Sequence, residues 1–452
     1  MRIQPKFASM KILLLTGTTL LGAAQASWAA SIESEINGLL ESHPLIQAAR
    51  KTVQSSDEGI TAARSGYLPD VRLDGYTGPS FTSSADRQAS PGKPFMRNGE
   101  TAGLTVTQHI YDGDATNAAV DTAIGSQKVS DAQLRMTRQN TILEGVTAYL
   151  DVNRQGTLVK LARENEKRVQ TQLNLEDERV QRGSGMAVDV LSAKQRLQVA
   201  KERRIAYEGT LQQALDRYQQ VFGHAPDVST DFSKSPLPPV DLIPSTLDDA
   251  VKAALDENPS VDVAKKNVTV SAERTRSAEA GYYPTFDLVG HADYASFTSA
   301  TDGMRRDWAV LLQMNWSLFS GFKTQAQVAQ ASYDYGASKD SANQAGRKAA
   351  EAVRLAWTQL ATAKERLKLL ENAVNLAHEV YEARKKMREA GKETLINVLD
   401  AESAITNADI TFAMADYDLR TAAYQLVHDV GRLEVADLDR RPQANAAAPK
   451  AQ

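Results

Sequence analysis

An internal repeat restricts the fold of this sequence more than any other feature. The stretch "SGYLPDVRLDG" (65–75) recurs as "AGYYPTFDLVG" (280–290), so Gly66, Pro69 and Gly75 each have a counterpart 215 residues later. Further along the offset becomes 208, where "YDGDATNAAVDTA" (111–123) aligns with "FSGFKTQAQVAQA" (319–331) and "GSGMAVDVLSA" (183–193) with "GKETLINVLDA" (391–401). A shared order of motifs predicts two copies of one structural unit in each chain.

The repeat sets the expected segments. The offset changes between about residues 76 and 110, where Gly, Ser and Pro are frequent, as is typical of a loop that absorbs insertions. We expect a signal peptide at 1–29 and then a first copy at 30–230, which contains a helix, a strand pair at about 67–112 and long helices at about 113–223. A Pro-rich linker at 231–245 leads to a second copy at 246–437, which contains a helix, a strand pair at about 284–319 and long helices at about 320–431. A disordered tail is expected at 438–452.

The N-terminus has the three parts of a secretory signal peptide. The basic stretch "MRIQPKFASMK" precedes the apolar "ILLLTGTTLLGAA", and Ser27 and Ala29 fit the small-residue positions of a cleavage site. The apolar run is too short to cross a bilayer, and no later segment reaches about 18 uncharged apolar residues. We therefore expect an exported protein without a helical anchor, in the periplasm, outside the cell or in the outer membrane.

The composition excludes several classes of function. The chain has no cysteine, which excludes disulfide frameworks, thiolate catalysis and cysteine metal sites. Its net charge of −4 argues against a nucleic-acid partner. The six histidines show no ligand spacing, and no Gly-rich phosphate loop or nucleophile motif is present. The sequence thus predicts no catalytic residue, no metal and no cofactor, and we do not expect an enzyme.

Each copy contains two stretches in which apolar and polar residues alternate with the period of a strand. A soluble sheet with its apolar face on a core would show this pattern, and so would a membrane barrel whose apolar face meets lipid. The signal peptide favours the barrel, but four strands cannot close one, so several chains must contribute and a trimer would supply twelve strands. The residues expected to face lipid are Leu104, Val106, Ile110, Trp308, Val310, Leu312, Met314 and Trp316.

The remaining sequence is helical and carries heptads. Val190 and Leu197 in the first copy, and Val398 and Ile405 in the second, belong to rows that recur every seven residues beside rows of alanine. This pattern is typical of helices that supercoil around one another. The helical region at 114–182 would be about 100 Å long, roughly three times the bilayer core, and such a length suits a structure that reaches across a periplasm.

These motifs, in this order and doubled, resemble the TolC family of outer-membrane channel proteins. The resemblance rests on the "GYxP" motifs at 66–69 and 281–284, on "YDG" and "FSG", and above all on "INVLDAESAITNA" (396–408). It implies a mainly α protein: a homotrimer with a 12-stranded outer-membrane β-barrel continued by a 12-helix periplasmic α-barrel. Such a channel is a passive conduit and lies in outer-membrane lipid with a long periplasmic extension.

The resemblance also implies partners. The family works with a periplasmic adaptor and an inner-membrane transporter, either an ABC transporter or a proton-driven pump. We expect export by type I protein secretion, with a multidrug efflux pump as the alternative. A periplasmic coiled-coil adaptor or scaffold is a third reading, although such proteins usually carry β modules that this chain lacks.

The resemblance places two candidate sites at the far ends of the helices. Asn397 and Asp400 match the acidic residues that narrow the family's entrance, and because Asn397 is neutral we expect one ring of Asp400 carboxylates. Asp189 matches a residue that helps to hold the entrance shut, and Arg388 is a hypothetical partner for it. The alternative for Asp400 is an ordinary solvated helix residue. Adaptor docking, or alternatively a plain helix–helix turn, is expected at Gly183, Ser184, Gly391 and Lys392.

Overall fold

A computed structural model describes residues 32–82, 95–226, 240–297 and 303–438. Within these residues the chain forms eight α-helices and four β-strands. The expected signal peptide, most of the expected linker (231–239) and residues 439–452 of the expected tail lie outside the described residues.

The two copies have the same elements in the same order. Their matching helices are equally long, with 11, 21, 67 and 36 residues in each copy. The chain is therefore built from two structural repeats. The first comprises α1 (Ile32–Ser42), α2 (Pro44–Arg64), β1 (Asp70–Thr82), β2 (Phe95–Tyr111), α3 (Ala115–Gln181) and α4 (Ala187–Phe222), and the second comprises α5 (Leu247–Glu257), α6 (Pro259–Glu279), β3 (Thr285–Ser296), β4 (Met304–Asn315), α7 (Lys323–Glu389) and α8 (Leu395–Val430).

Local sequence explains where several helices begin and end. Pro44 and Pro259 occupy the first turns of α2 and α6, where a missing N–H costs nothing. The Asn258 Oδ1 accepts a hydrogen bond from the Ser260 N–H at 2.9 Å and caps α6. Gly431 follows the C-terminus of α8 with a φ of 93°, a left-handed conformation that glycine adopts without strain.

The four strands form one antiparallel sheet in the order β1-β2-β3-β4, with β1 and β4 at its edges. The register aligns Leu73 with Leu104, Leu104 with Ala292, and Ala292 with Trp308. Because side chains alternate between the two faces, this register gathers most of the apolar residues of the four strands on one face. That face is exposed in the single chain: Trp308, for example, is 81% exposed.

The main hydrophobic core lies around the middle of α3. There α1, α3 and α4 enclose stacked rings of Tyr218 and Phe222, whose centroids are 4.2 Å apart. The Tyr218 hydroxyl donates a hydrogen bond to Glu35 at 3.0 Å. Leu438, which the sequence assigned to the tail, is buried in this same core. A second core joins α5, α7 and α8 around Val353.

Throughout the residues that the structure describes, the helices are too polar or too short to cross a membrane on their own. The long helices α3 and α7 instead run on from the sheet, each beginning a few residues after a strand ends. The exposed apolar surface of the sheet and the long helices therefore occupy successive parts of the molecule.

Candidate functional site

In each copy one short turn connects the two long helices. We call α3 with α4 the first hairpin and α7 with α8 the second hairpin. At the first turn the Gly183 N–H donates to Val180 O and the Ser184 N–H to Arg179 O, each at 2.9 Å. At the second turn the Gly391 and Lys392 N–H groups donate to the carbonyls of Arg388 and Met387. Both turns are thus Schellman motifs.

Glycine is required at both turns by backbone geometry. Gly183 has a φ of 77° and Gly391 a φ of 72°, in the left-handed region. A Cβ atom at either position would meet no neighbour within 4 Å, so conformation and not space selects glycine. The four residues expected to dock an adaptor are all exposed at these turns.

Arg388 connects the two hairpins near these turns. The Arg388 Nη2 atom lies 3.2 Å from the carboxylate of Asp189 and 3.2 Å from the carboxylate of Glu176. Its Nη1 donates a hydrogen bond to the Glu393 carbonyl oxygen at 3.1 Å. The structure therefore contains the Arg388–Asp189 pair that the sequence raised as a hypothesis. A partly buried guanidinium shared by two carboxylates fixes the hairpin ends against each other.

Glu176 was missed by the sequence reasoning. It is 0% exposed and also accepts from Arg179 at 2.8 Å and from Gln172 at 3.1 Å. Its signal in the sequence is position: Glu176 follows the buried Val169 and Leu173 in an apolar row of α3. An acidic residue in such a row needs cationic partners, which here are Arg179 of the same helix and Arg388 of the second copy.

The two expected entrance residues of α8 are hydrogen-bonded within the chain. The Asp400 carboxylate lies 2.5 Å from Arg196 Nη2, so its charge is paired and not free. Asn397 donates to Glu393 at 2.6 Å, and this hydrogen bond, together with the Thr394 N–H, lowers the pKa of Glu393. Glu393, which the sequence did not single out, thus accepts its hydrogen bonds from the Asn397 side chain and the Thr394 N–H.

A polar strip continues the contact between the hairpins along α8. Arg203 donates to Asn407 at 2.9 Å, Arg168 donates to Thr406 at 3.2 Å, and Thr406 donates to Asn165 at 2.8 Å. We call the residues on both sides of this contact the inter-hairpin strip; they are Asn165, Arg168, Arg196 and Arg203 of the first hairpin and Asp400, Glu402, Thr406 and Asn407 of the second.

Six of the eight residues expected to face lipid lie on the apolar face of the sheet: Leu104, Val106, Trp308, Val310, Leu312 and Met314. The other two deviate. The pairing of β2 shifts between His109 and Tyr111, so Ile110 is the extra residue of a β-bulge. Trp316 falls one residue beyond β4, where its indole N–H donates to Tyr282 O at 3.2 Å.

The opposite face of the sheet is polar. The His109 imidazole nitrogen Nδ1 lies 2.6 Å from the Asp287 carboxylate across β2 and β3, and Asp293 is aligned with Asp307 across β3 and β4. Among the described residues no group of three or more acidic or histidine side chains is arranged to hold a metal ion. A sheet with one apolar and one polar face is the pattern expected in the wall of a membrane channel.

Comparison with known proteins identifies the family. The family model described as "Outer membrane efflux protein" matches residues 36–224 and 250–432, which are the two copies of the repeat. The chain belongs to this family. It is therefore an outer-membrane channel for export, with a long periplasmic tunnel, and not an enzyme.

Relatives along most of the chain agree with this assignment. The outer membrane efflux protein BepC of Brucella suis is 25% identical over 94% of this chain and 90% of its own length. The outer membrane protein TolC of Escherichia coli is 24% identical over 95% and 88%. The alkaline protease secretion protein AprF of Pseudomonas aeruginosa is 23% identical over 94% and 89%.

Solved structures share the fold. The outer membrane protein VceC of Vibrio cholerae superposes with a TM-score of 0.76 at 17% identity, covering 88% of this chain and 96% of its own. The CmeC outer membrane channel of Campylobacter jejuni gives 0.76 at 14% identity and covers 94% of both chains. The fold is thus the β-barrel-plus-α-barrel architecture of TolC-like channels.

Proposed function

We propose that three copies of this chain form a gated conduit whose periplasmic entrance is held shut by Arg388. The observation that carries this proposal is the position of Arg388, which binds carboxylates of both helices of the first hairpin from the end of the second. A conduit opens at the entrance only if the hairpins part there. Parting them separates Arg388 from Glu176 and Asp189.

The edges of the sheet support assembly into a trimer. In the order β1-β2-β3-β4, both β1 and β4 present a backbone edge that no other strand among the described residues pairs. Unpaired N–H and C=O groups are costly in lipid, so each edge needs a strand from a neighbouring copy. Known closed barrels have at least about eight strands, and three chains would supply about twelve.

An apolar stripe on α7 supports the same assembly. Leu369, Leu376, Val380 and Met387 are all exposed in the single chain. Their spacing of 7, 4 and 7 residues keeps them on one side of the helix. A stripe of this kind is typical of the seam along which two helices pack in a coiled coil. We propose that a hairpin of the next copy covers it and so closes the α-barrel.

Docking of a periplasmic adaptor at the hairpin turns is the second part of the proposal. Gly183 and Ser184 of one turn, and Gly391 and Lys392 of the other, lie at exposed positions. Exposed apolar side chains follow each turn within about five residues in the sequence, namely Met186, Val188 and Ile396. Apolar anchors beside polar backbone are the composition of a protein-binding surface.

The proposed cargo is a protein exported by type I secretion with an inner-membrane ABC transporter. Relatives named for protease secretion, such as AprF of Pseudomonas aeruginosa, support it. The efflux protein BepC of Brucella suis supports the second candidate, a multidrug efflux pump with a proton-driven transporter. Deleting the gene and measuring both secreted protein and drug susceptibility separates the two.

Single-channel recording in planar bilayers tests the gate. We expect Arg388→Gln to open more often and to pass a larger current than wild type, because two carboxylates lose their shared cation. Arg182→Gln is the matched control, since Arg182 pairs with Glu178 at the first turn but both side chains are exposed.

Two results would count against the proposal. An Arg388→Gln channel with wild-type opening would place the gate elsewhere. A folded assembly that passes no current in any variant would exclude a conduit in this form.

A further inference from the structure

Glu402 is a buried carboxyl group in the inter-hairpin strip that the proposed gate does not use. It lies on α8, two residues after Asp400, and is 3% exposed. Its Oε1 is buried without a hydrogen-bond partner among the described residues. The nearest cation is Arg168 on α3, whose Nε lies 3.6 Å from Oε1, too far for a strong hydrogen bond.

The charged groups around Glu402 are mostly committed to other partners. Glu402 lines a cavity of about 130 Å³ between α3, α4 and α8, and the two arginines from α4 that line it bind elsewhere: Arg196 pairs with Asp400 and Arg203 with Asn407. From α7 the phenol of Tyr381 faces Glu402; burial, and then the charge of Glu402, raises the pKa of Tyr381.

Burial therefore dominates the ionisation of Glu402. Loss of hydration raises the pKa of Glu402 to about 7, and the nearby Arg168 offsets only part of this effect. A carboxylate that has lost water without gaining hydrogen bonds is costly, whereas the neutral acid is not. The packed arrangement of the two hairpins thus favours the protonated form.

We propose that Glu402 is a pH-sensitive switch on the entrance, holding the hairpins together when protonated and favouring their separation when ionised. This inference rests on the proposed gate at Arg388. Because the pKa of Glu402 is raised in the packed state, its stabilising contribution is present at low pH and is lost as pH rises through that pKa. Parting the hairpins returns the carboxylate to water.

Conductance measured across pH tests the switch. Between about pH 5.5 and about pH 8.5, which brackets the raised pKa, we expect the wild-type channel to open more often as pH rises. Glu402→Gln should keep the low opening of acidic solution throughout. Arg168→Gln should move the transition to higher pH, because it removes the cation that favours the carboxylate.

Two control variants exclude other sources of the pH response. Glu178→Gln removes an exposed carboxyl from the same end of the first hairpin and should leave the transition in place. His378→Asn removes an imidazole that contacts Asp409 on the second hairpin, and histidine side chains also ionise near neutrality. This variant should likewise keep the transition.

The outcomes separate the switch from the gate. If Glu402→Gln retains the wild-type transition, or Arg168→Gln does not move it, the switch is wrong even when Arg388→Gln opens the channel. If Arg388→Gln does not open the channel, the gate fails independently of pH. Loss of the transition in Glu402→Gln together with its upward shift in Arg168→Gln would establish the switch.

Discussion

The two helical hairpins have the same elements and lengths, but the rest of the chain buries them to different extents. Buried residues of α3 extend from Ala118 to Glu176, whereas those of α7 extend only from Ala349 to Leu360. The two helices have the same length of 67 residues. Helix α3 is thus packed within its own chain along most of its length, while most of α7 has no buried side chain in the single chain.

The side chains have diverged in step with these surroundings. At the offset of 208, Leu376 and Met387 of the exposed stripe correspond to Arg168 and Arg179 of the first copy. These arginines contact the buried Glu402 and Glu176. At these positions the first copy makes polar contacts within the chain, whereas the second copy presents an exposed apolar stripe.

A single pair of leucines shows that position, and not residue type, decides burial. Leu191 and Leu399 are repeat-related, 208 residues apart, at the start of α4 and α8. Leu191 is 64% exposed, while Leu399 is 2% exposed because it lies in the contact between the hairpins.

The largest expected effect comes from giving α7 the residue of the first copy. Leu376→Arg places a charge in the proposed seam, and we expect the trimer to be lost. Lys385→Asp also introduces the residue of the first copy, Asp177, but on the opposite side of α7, and should leave assembly intact. Size-exclusion chromatography with light scattering in detergent measures both. A trimeric Leu376→Arg would contradict the assigned seam.

In the sheet, equivalent positions of the two copies are expected to respond alike to a charged substitution. Arginine substitutions on the two faces test this. Val106 and Val310 lie at one level of the apolar face, aligned with Gly290 between them. Arginine at either should destabilise the membrane-inserted protein by about 2–4 kcal/mol. Leu311→Arg, one residue further on the polar face, should cost much less. Urea titration in lipid vesicles measures all three, and equal costs at Val310 and Leu311 would refute the orientation of the sheet.

The smallest effect is expected at the turns, where the copies are equivalent. Alanine at Gly183 or Gly391 should each cost about 1–2 kcal/mol, because both positions are left-handed. Gly156→Ala is the control: this glycine lies inside α3 with no neighbour within 4 Å of a Cβ, and alanine there should be neutral or stabilising. Thermal unfolding followed by circular dichroism compares them. Unequal costs at the two turns would show that one of them bears an additional contact.

Much of the fold was predictable because its signals are local. The repeat, the heptads and the alternation of strands such as β4 are periodic, and periodicity determines which face of an element is apolar. Trp316 and Ile110 fell outside this rule. Trp316 continues the alternation although the strand has ended, and Ile110 sits at a bulge that shifts the pairing of β2 by one residue.

The candidate site was predictable only in part, since its contacts join residues far apart in sequence. The sequence motif pointed to Asp400 and Asp189 but could not show that Arg196 approaches Asp400 from the other copy. Glu176 and Glu402 were missed because each lies in a row of apolar residues and gains its meaning from partners about 200 residues away. Pairing of this kind follows from the packing of helices and not from any local pattern.

The two edges of the sheet that remain unpaired within the described part of the chain have a consequence for genetics. In the proposed trimer every channel draws its wall from three gene products, and each strand edge is completed by a neighbour. A variant with a damaged β1 or β4 would therefore join normal subunits and disable channels that contain them. Produced beside the normal chain, such a variant would remove more activity than its own share, and the defect would be inherited as a dominant trait.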